Sequence, residues 1–495
     1  MELKFYDSTV FNLSRDQWMA LIPYLWLALG LAISTVYAAL RASRPVGKFL
    51  AIFFLSTYAY YQAIHIGDAP QNLFGTSLEV DALTRIVGVA VSVFAIITSL
   101  FGKVSDPSEE HPEWLPLLLV SVLGLSILPG ARDFVAFFVY LETLAITGYI
   151  MTAMDTSREK SLEAGLKYLL LGAFASAILL MGIALVYGAT GTVDFEKISL
   201  SIHNISSVDT GFVIAGSLMI TASLLFKVAL VPFHMWAPDV YQAAPTSIAA
   251  YLASATKISI FAGTAVVMNK CGILNVAGVK NFIFYAATLS VVVGSFLAVA
   301  QTHVKRLFAY SGIVNAGYAA FALASGPKAV GSLVTNLLIY GGTLIGIFAV
   351  TEALVVNSGR PAHSDLAIRD LSSASKKTHP LIIGLFAFGV FSIAGIPPLP
   401  GFFGKYLILK DLWINGDQMS VYVMLFGALL GLAYYLRLFV PLYMSASEET
   451  PASGERSLGH AAALAAMLAV TFSILLMGGL NRLPSWVQII EAFAR

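Results

Sequence analysis

The feature that most limits this chain is the return of apolar runs about twenty residues long. A hydrocarbon layer of roughly 30 Å needs about 20 such residues in a helix. Only helices and closed barrels satisfy their own backbone there. Runs of this kind lie near 18–40, 46–66, 81–101, 114–130, 131–153, 161–188, 210–230, 246–268, 276–300, 305–325, 329–356, 379–411, 418–444 and 459–480. The expectation is an all-α polytopic membrane protein of about 14 transmembrane helices. The connecting loops are too short for an extramembrane domain. Composition agrees: 58% of the 495 residues are hydrophobic and 12% charged, where a soluble domain carries about 25% charged residues.

Several function classes fall away. A net charge of +1 with no basic stripe argues against a nucleic-acid partner. The single cysteine, Cys271, leaves no internal disulfide framework and no four-cysteine cluster. No G-x-G-x-x-G follows a strand, and neither a Walker sequence nor a metal-ligand cluster stands out. The opening "MELKFYDSTVFNLSRDQW" lacks the pattern of a cleaved signal, so insertion is expected through the first span. With both termini outside, the densest basic clusters, "RASRPVGK", "HVKR" and the loop 360–377, all fall inside.

Two spans are interrupted. One is "LLFKVALVPFHMWAPDVYQAAPTS" around Pro232; the other is "FSIAGIPPLPGFFGKYLIL" with Pro397, Pro398 and Pro400. Proline cannot donate a backbone hydrogen bond and leaves carbonyls free. Such backbone is tolerated at membrane depth only away from lipid. Paired breaks point to two inverted five-helix repeats with a polar site near the midplane. The expected division is an N-terminal three-helix segment 1–110, a first half 111–270, a second half 271–445, and a last span with tail 446–495. The match between breaks is loose in sequence, because Lys227 precedes its break and Lys405 follows its own.

Six basic residues are accounted for by no loop, namely Arg85, Lys167, Lys227, Lys257, Lys405 and Arg437, and among acids Glu142 and Glu352 also fall inside apolar runs. Arg85 follows Asp81 by one turn, which a surface ion pair explains. Arg437 and Glu352 lie near span ends, within reach of snorkelling. Lys167 sits roughly 9 Å deep at 1.5 Å per residue, where a long side chain still reaches water. Glu142 and Lys257 are mid-span, where each charge costs about 2.5–3.5 kcal/mol on insertion scales. One glutamate cannot neutralise three lysines. The surplus amines therefore act as proton relays, since low dielectric favours the neutral amine, or they belong to a salt-bridge framework between helices. His234, beside the first break, is either a further relay or an interfacial histidine.

These residues carry a family resemblance. "FKVALVPFHMWAPDVYQAAPTSIAAYLASATKISIFA", "KYLLLGAFASAILLMG", "VKRLFAYSGIVNAGY" and "AGIPPLPGFFGKYLIL" resemble the antiporter-like membrane subunits of respiratory complex I, over roughly residues 80–445. Within that family, "WAPDVYQAAPT" and Lys405 in "GFFGKYLIL" are similar to the subunit N branch of bacterial NADH:quinone oxidoreductase. A subunit M would carry a glutamate in place of Lys405, and a subunit L would run on into a long lateral helix.

The resemblance implies a proton-translocating membrane-arm subunit, acting as part of an NADH dehydrogenase. Glu142 matches the family's fifth-span glutamate, and Lys227 matches the lysine of the broken seventh span. Lys257 matches the eighth-span lysine and Lys405 that of the broken twelfth; Lys167 matches a lysine common in the sixth. No cofactor is expected in this chain; FMN, iron–sulfur clusters and quinone belong to partner subunits. The implied partners are subunits M, A, J and K, the peripheral NADH-oxidising arm and membrane lipids. The implied location is a bacterial inner membrane, with both termini periplasmic. Mrp-type cation/proton antiporters and related hydrogenase complexes share the pattern and form the alternative, beside a purely structural subunit.

Overall fold

Residue 81 shows how these helices begin. The Asp81 carboxylate accepts a hydrogen bond from the Thr84 amide and caps the helix that follows. Asp133 caps another helix by accepting from Ala136, and Gly191, in the left-handed region, closes a third. The structure, a computed structural model, describes residues 13–40, 44–101, 113–202, 207–360 and 364–443. The expected span at 459–480 lies outside the described residues.

In chain order the helices are α1 (Arg15–Ala39), α2 (Arg44–Ile64), α3 (Ala82–Leu100), α4 (Trp114–Ile127), α5 (Phe134–Thr152), α6 (Glu159–Thr190), α7 (Phe195–Ile202), α8 (Ser207–Lys227), α9 (Trp236–Ala243), α10 (Thr246–Lys270), α11 (Val279–Val299), α12 (Val304–Ala324), α13 (Val330–Asn357), α14 (Leu371–Lys376), α15 (Pro380–Ala394), α16 (Pro400–Ile414) and α17 (Gln418–Tyr443). A short hairpin, β1 (Gln71–Leu73) with β2 (Leu78–Val80), is an addition to the all-α expectation; Gln71 pairs with Val80 and Leu73 with Leu78. Among the described residues, 10 helical stretches are long and apolar enough to span a membrane. Two shorter apolar stretches, Trp114–Gly130 and Pro380–Ala394, accompany them.

Internal symmetry is written in the backbone. Just before α5, Phe134 N donates to Val193 O and Phe195 N to Arg132 O, tying the start of α5 to the segment after α6. Just before α12, Val304 N donates to Leu366 O and Ile368 N to Thr302 O, tying the start of α12 to the segment after α13. Each unit runs through five spans, an odd number, so the second enters from the opposite side and its bridge lies at the opposite membrane face. The repeat is inverted.

The breaks match in the same detail. Ala229 and Gly395 are both left-handed, with φ of 62° and 89°, and each precedes a cis-proline (Pro232, Pro398) by the same spacing. Leu230 N donates to Leu225 O and Ala229 N to Phe226 O; Ile396 N donates to Phe391 O and Gly395 N to Ser392 O. Both half-helices thus end in one Schellman-type closure. The loose correspondence seen in sequence tightens in three dimensions.

At the centre stand α10, α12 and α13, almost wholly enclosed by other helices. By contrast α1, α6 and α17 present Leu, Phe and Met outward, among them Leu29, Phe174, Met181 and Leu429. That is the outer wall expected of a chain in lipid.

Candidate functional site

Glu142 lies at the middle of α5, Ser176 within α6, and Lys227 is the last residue of α8. The Lys227 amine donates to Glu142 Oε1 at 3.0 Å and to Ser176 Oγ at 3.2 Å. The Ser176 hydroxyl donates to the same carboxylate oxygen at 2.5 Å. Three helices converge on one closed triangle. Lys227 is 6% exposed, and the Glu142 side chain 20%.

Behind this triangle runs an aromatic wall. Tyr168 stacks on Trp236 at 4.4 Å between centroids, and Tyr149 meets Tyr168 edge-on at 4.7 Å. Trp236 Nε1 donates to Phe226 O at 3.0 Å, a carbonyl at the break. The indole on the far side of the break thereby satisfies backbone on the near side. His234 stands in the break itself, and its ring lies 6.5 Å from that of Tyr310.

Lys257 is at the midpoint of α10 and 3% exposed; its amine donates to Gly312 O of α12 at 2.7 Å. Lys405 lies beyond the second break, in α16, yet its amine reaches back to Ile393 O at 2.7 Å and Ala394 O at 3.0 Å. Those carbonyls end α15, and Ile393 is the repeat counterpart of Lys227. In both halves, then, a lysine belongs to the end of the first half-helix, Lys227 through its backbone position and Lys405 through its amine. The Lys405 amine also lies 5.8 Å from the Tyr318 ring centre. Among the described residues neither Lys257 nor Lys405 has a carboxylate within 4.0 Å, whereas Lys227 does.

Lys167 is elsewhere. Its amine pairs with Glu163 at 2.6 Å and Asp239 at 3.5 Å, in a polar crevice of about 340 Å³ with Gln242, His303 and Asp365. Arg306 closes on Asp239 at 2.7 Å and on Gln242 Oε1 at 3.0 Å.

Three sequence expectations change. Arg85 is not in a surface pair with Asp81: it is 2% exposed, and Asp81 is bound by Arg132 at 3.1 Å. Glu352 does not snorkel, because α13 is enclosed and that side chain is 4% exposed. Lys305 is no loop residue; it is 1% exposed in α12 and donates to Ala244 O, at the end of α9, at 3.0 Å. Arg437 is exposed on α17. Sequence reasoning also passed over Ser176, Asp239 and Asp365. A lone hydroxyl in an apolar helix is too common to single out, and the acids gain meaning only beside their partners.

Residues 131–431 match the family described as NADH:quinone oxidoreductase/Mrp antiporter, TM. A protein named NADH-quinone oxidoreductase subunit N from Methylobacterium nodulans is 33% identical over 428 residues, covering 85% of this chain and 87% of its own. Respiratory complex I from Thermus thermophilus, solved with bound aureothin, contains a chain that superposes with a TM-score of 0.74 at 28% identity, over 92% of this chain and 96% of that one. A chain of the Mrp complex from a Dietzia species has a TM-score of 0.83 at 18% identity, over 96% and 97% of the two chains, which speaks to the fold alone. With a broken helix in each inverted half and a family match spanning both, the chain belongs to the NADH:quinone oxidoreductase/Mrp antiporter transmembrane family, in its subunit N branch.

Proposed function

We propose that this chain moves protons through the membrane arm of an NADH:quinone oxidoreductase, with Glu142, Lys227, Lys257 and Lys405 as the relay. The observation that carries the reading is the Lys227–Glu142 pair, 3.0 Å long, closed by Ser176 beside a helix break. Its gross attraction is about 5 kcal/mol at an effective dielectric of about 20. Carrying one charge against 100 mV costs about 2.3 kcal/mol. Switching such a pair is therefore of the right size, before the desolvation of its two charges is subtracted.

In this reading the closed pair holds the proton on the Lys227 amine. When Glu142 withdraws, the desolvated amine gives up its proton, which passes by internal water to Lys257 and then to Lys405. Lys405, on the carbonyls of Ile393 and Ala394, releases it on the far side. The crevice of Lys167 and Asp239 supplies protons from the side of the "HVKR" cluster, and His234 at the break is a further station.

The same reading divides the chain into an N-terminal segment 1–110, halves 111–270 and 271–445, and a last span with tail 446–495. It sets the chain in a bacterial inner membrane with periplasmic termini, beside subunits M, A, J and K. FMN, iron–sulfur clusters and quinone, in partner subunits, supply the driving reaction.

The test is proton pumping in inverted membrane vesicles carrying Lys227→Ala, with NADH-to-quinone electron transfer read on the same sample. Loss of pumping with the subunits assembled is the expected result. Unchanged pumping per electron removes Lys227 from the route.

A further inference from the structure

A second polar site lies apart from the relay, where the start of α1, the end of α2 and the start of α3 meet. There a crevice of about 410 Å³ opens among Arg15, Asp16, Tyr61, His65, Asp68 and Arg85. Arg85 is 2% exposed, yet among the described residues its guanidinium makes one long hydrogen bond, 3.4 Å to Gln62 Oε1, and its Nε has no partner. Its neighbour in sequence, Asp81, is already bound by Arg132. Among the described residues no carboxylate lies within 4.0 Å of Arg85. A buried cation left so is strongly disfavoured unless something else meets it.

The rest of the crevice describes what would. Asp68 is held by His65 Nδ1 at 2.6 Å, and Asp16 stands beside exposed Arg15 at the mouth. The site thus offers two guanidiniums and two carboxylates. A guanidinium fork suits the oxygens of a phosphodiester, and carboxylates suit a primary ammonium. Arg15, Met19 and Ile22 share one helix face, which continues as an exposed apolar stripe through Leu25 and Leu29. Charge of both signs above an apolar stripe is the chemistry of a zwitterionic phospholipid.

We propose that this crevice binds phosphatidylethanolamine, with its phosphodiester on Arg85 and Arg15, its ammonium on Asp16 and Asp68, and an acyl chain along α1. Phosphatidylglycerol has no cation for the carboxylates, and the choline headgroup cannot donate hydrogen bonds to them.

The full chain, purified in mild detergent with its accompanying subunits, would be equilibrated with micelles holding equal amounts of the ethanolamine, glycerol and choline lipids. Bound lipid would then be weighed by native mass spectrometry. The wild type is expected to retain the ethanolamine lipid above the other two. Arg15→Gln, at the exposed mouth, lowers that retention roughly tenfold, and Arg85→Gln lowers it further. Asp16→Asn removes the preference over the glycerol lipid. Equal retention of all three lipids, undiminished retention in Arg15→Gln, or displacement by inorganic phosphate overturns the proposal.

Discussion

At the residue scale, this chain repeatedly sets a lysine against the end of a helix. Lys227 ends α8, Lys305 donates to the last carbonyl region of α9, and Lys405 donates to the end of α15. Carbonyls at a helix C-terminus have no intrahelical donor, so an ammonium there satisfies backbone while finding a favourable dipole. In the proposed relay, structural and proton-handling roles coincide at Lys405, and one substitution separates them. Lys405→Arg keeps donors for Ile393 O and Ala394 O but cannot release a proton. Assembly is expected to be normal and pumping lost, read by native gels and by vesicle acidification. Lys405→Ala should also reduce the assembled complex, because each orphaned carbonyl costs about 1–3 kcal/mol. Ser176→Ala tests the triangle: losing a hydrogen bond to a charged group, worth about 1.5–3 kcal/mol, should slow pumping severalfold with assembly unchanged. A wild-type rate would leave Ser176 a packing residue.

At the element scale, the two halves of the second broken helix approach more closely than a side chain allows. A Cβ at Gly401, in the first turn of α16, would stand 1.8 Å from Ser392 O, while Gly401 N donates to Ser392 Oγ at 3.0 Å. Backbone cannot yield there as a flexible side chain would. Gly401→Ala is expected to destabilise the chain by about 3 kcal/mol, seen as a lower level in membranes and a lower melting midpoint. Gly188, late in α6, meets nothing within 4 Å. Gly188→Ala should leave stability within about 1 kcal/mol of wild type. Equal effects of the two would mean that the close approach at the second break does not matter. That both spans are interrupted was legible from their prolines. That they end in the same closure was not, because Ala229 carries no sequence mark of a left-handed residue.

At the scale of the whole molecule, the inverted repeat fixes which loops share a side. Cys271 is 0% exposed, so the wild-type chain should not react with an impermeant maleimide. Lys160→Cys and Lys280→Cys place exposed thiols at loops that the inversion sets on opposite faces. The first is expected to label from the side of the "HVKR" cluster and the second from the other. Labelling of both from one side would break the inverted arrangement.

By itself, the sequence determined the helical membrane class and the presence of the breaks. Lipid demands long apolar runs and penalises proline and charge inside them, so these features stand out residue by residue. Only the tertiary structure decided which charges meet. It paired Glu142 with Lys227 and not with Lys257, gave Asp81 to Arg132, and drew Lys305 inside. The physical reason is the solvent. In water an apolar face marks the core, but lipid tails are as apolar as leucine. Enclosed α10 and lipid-facing α1 are therefore both apolar, and only packing tells the centre from the wall.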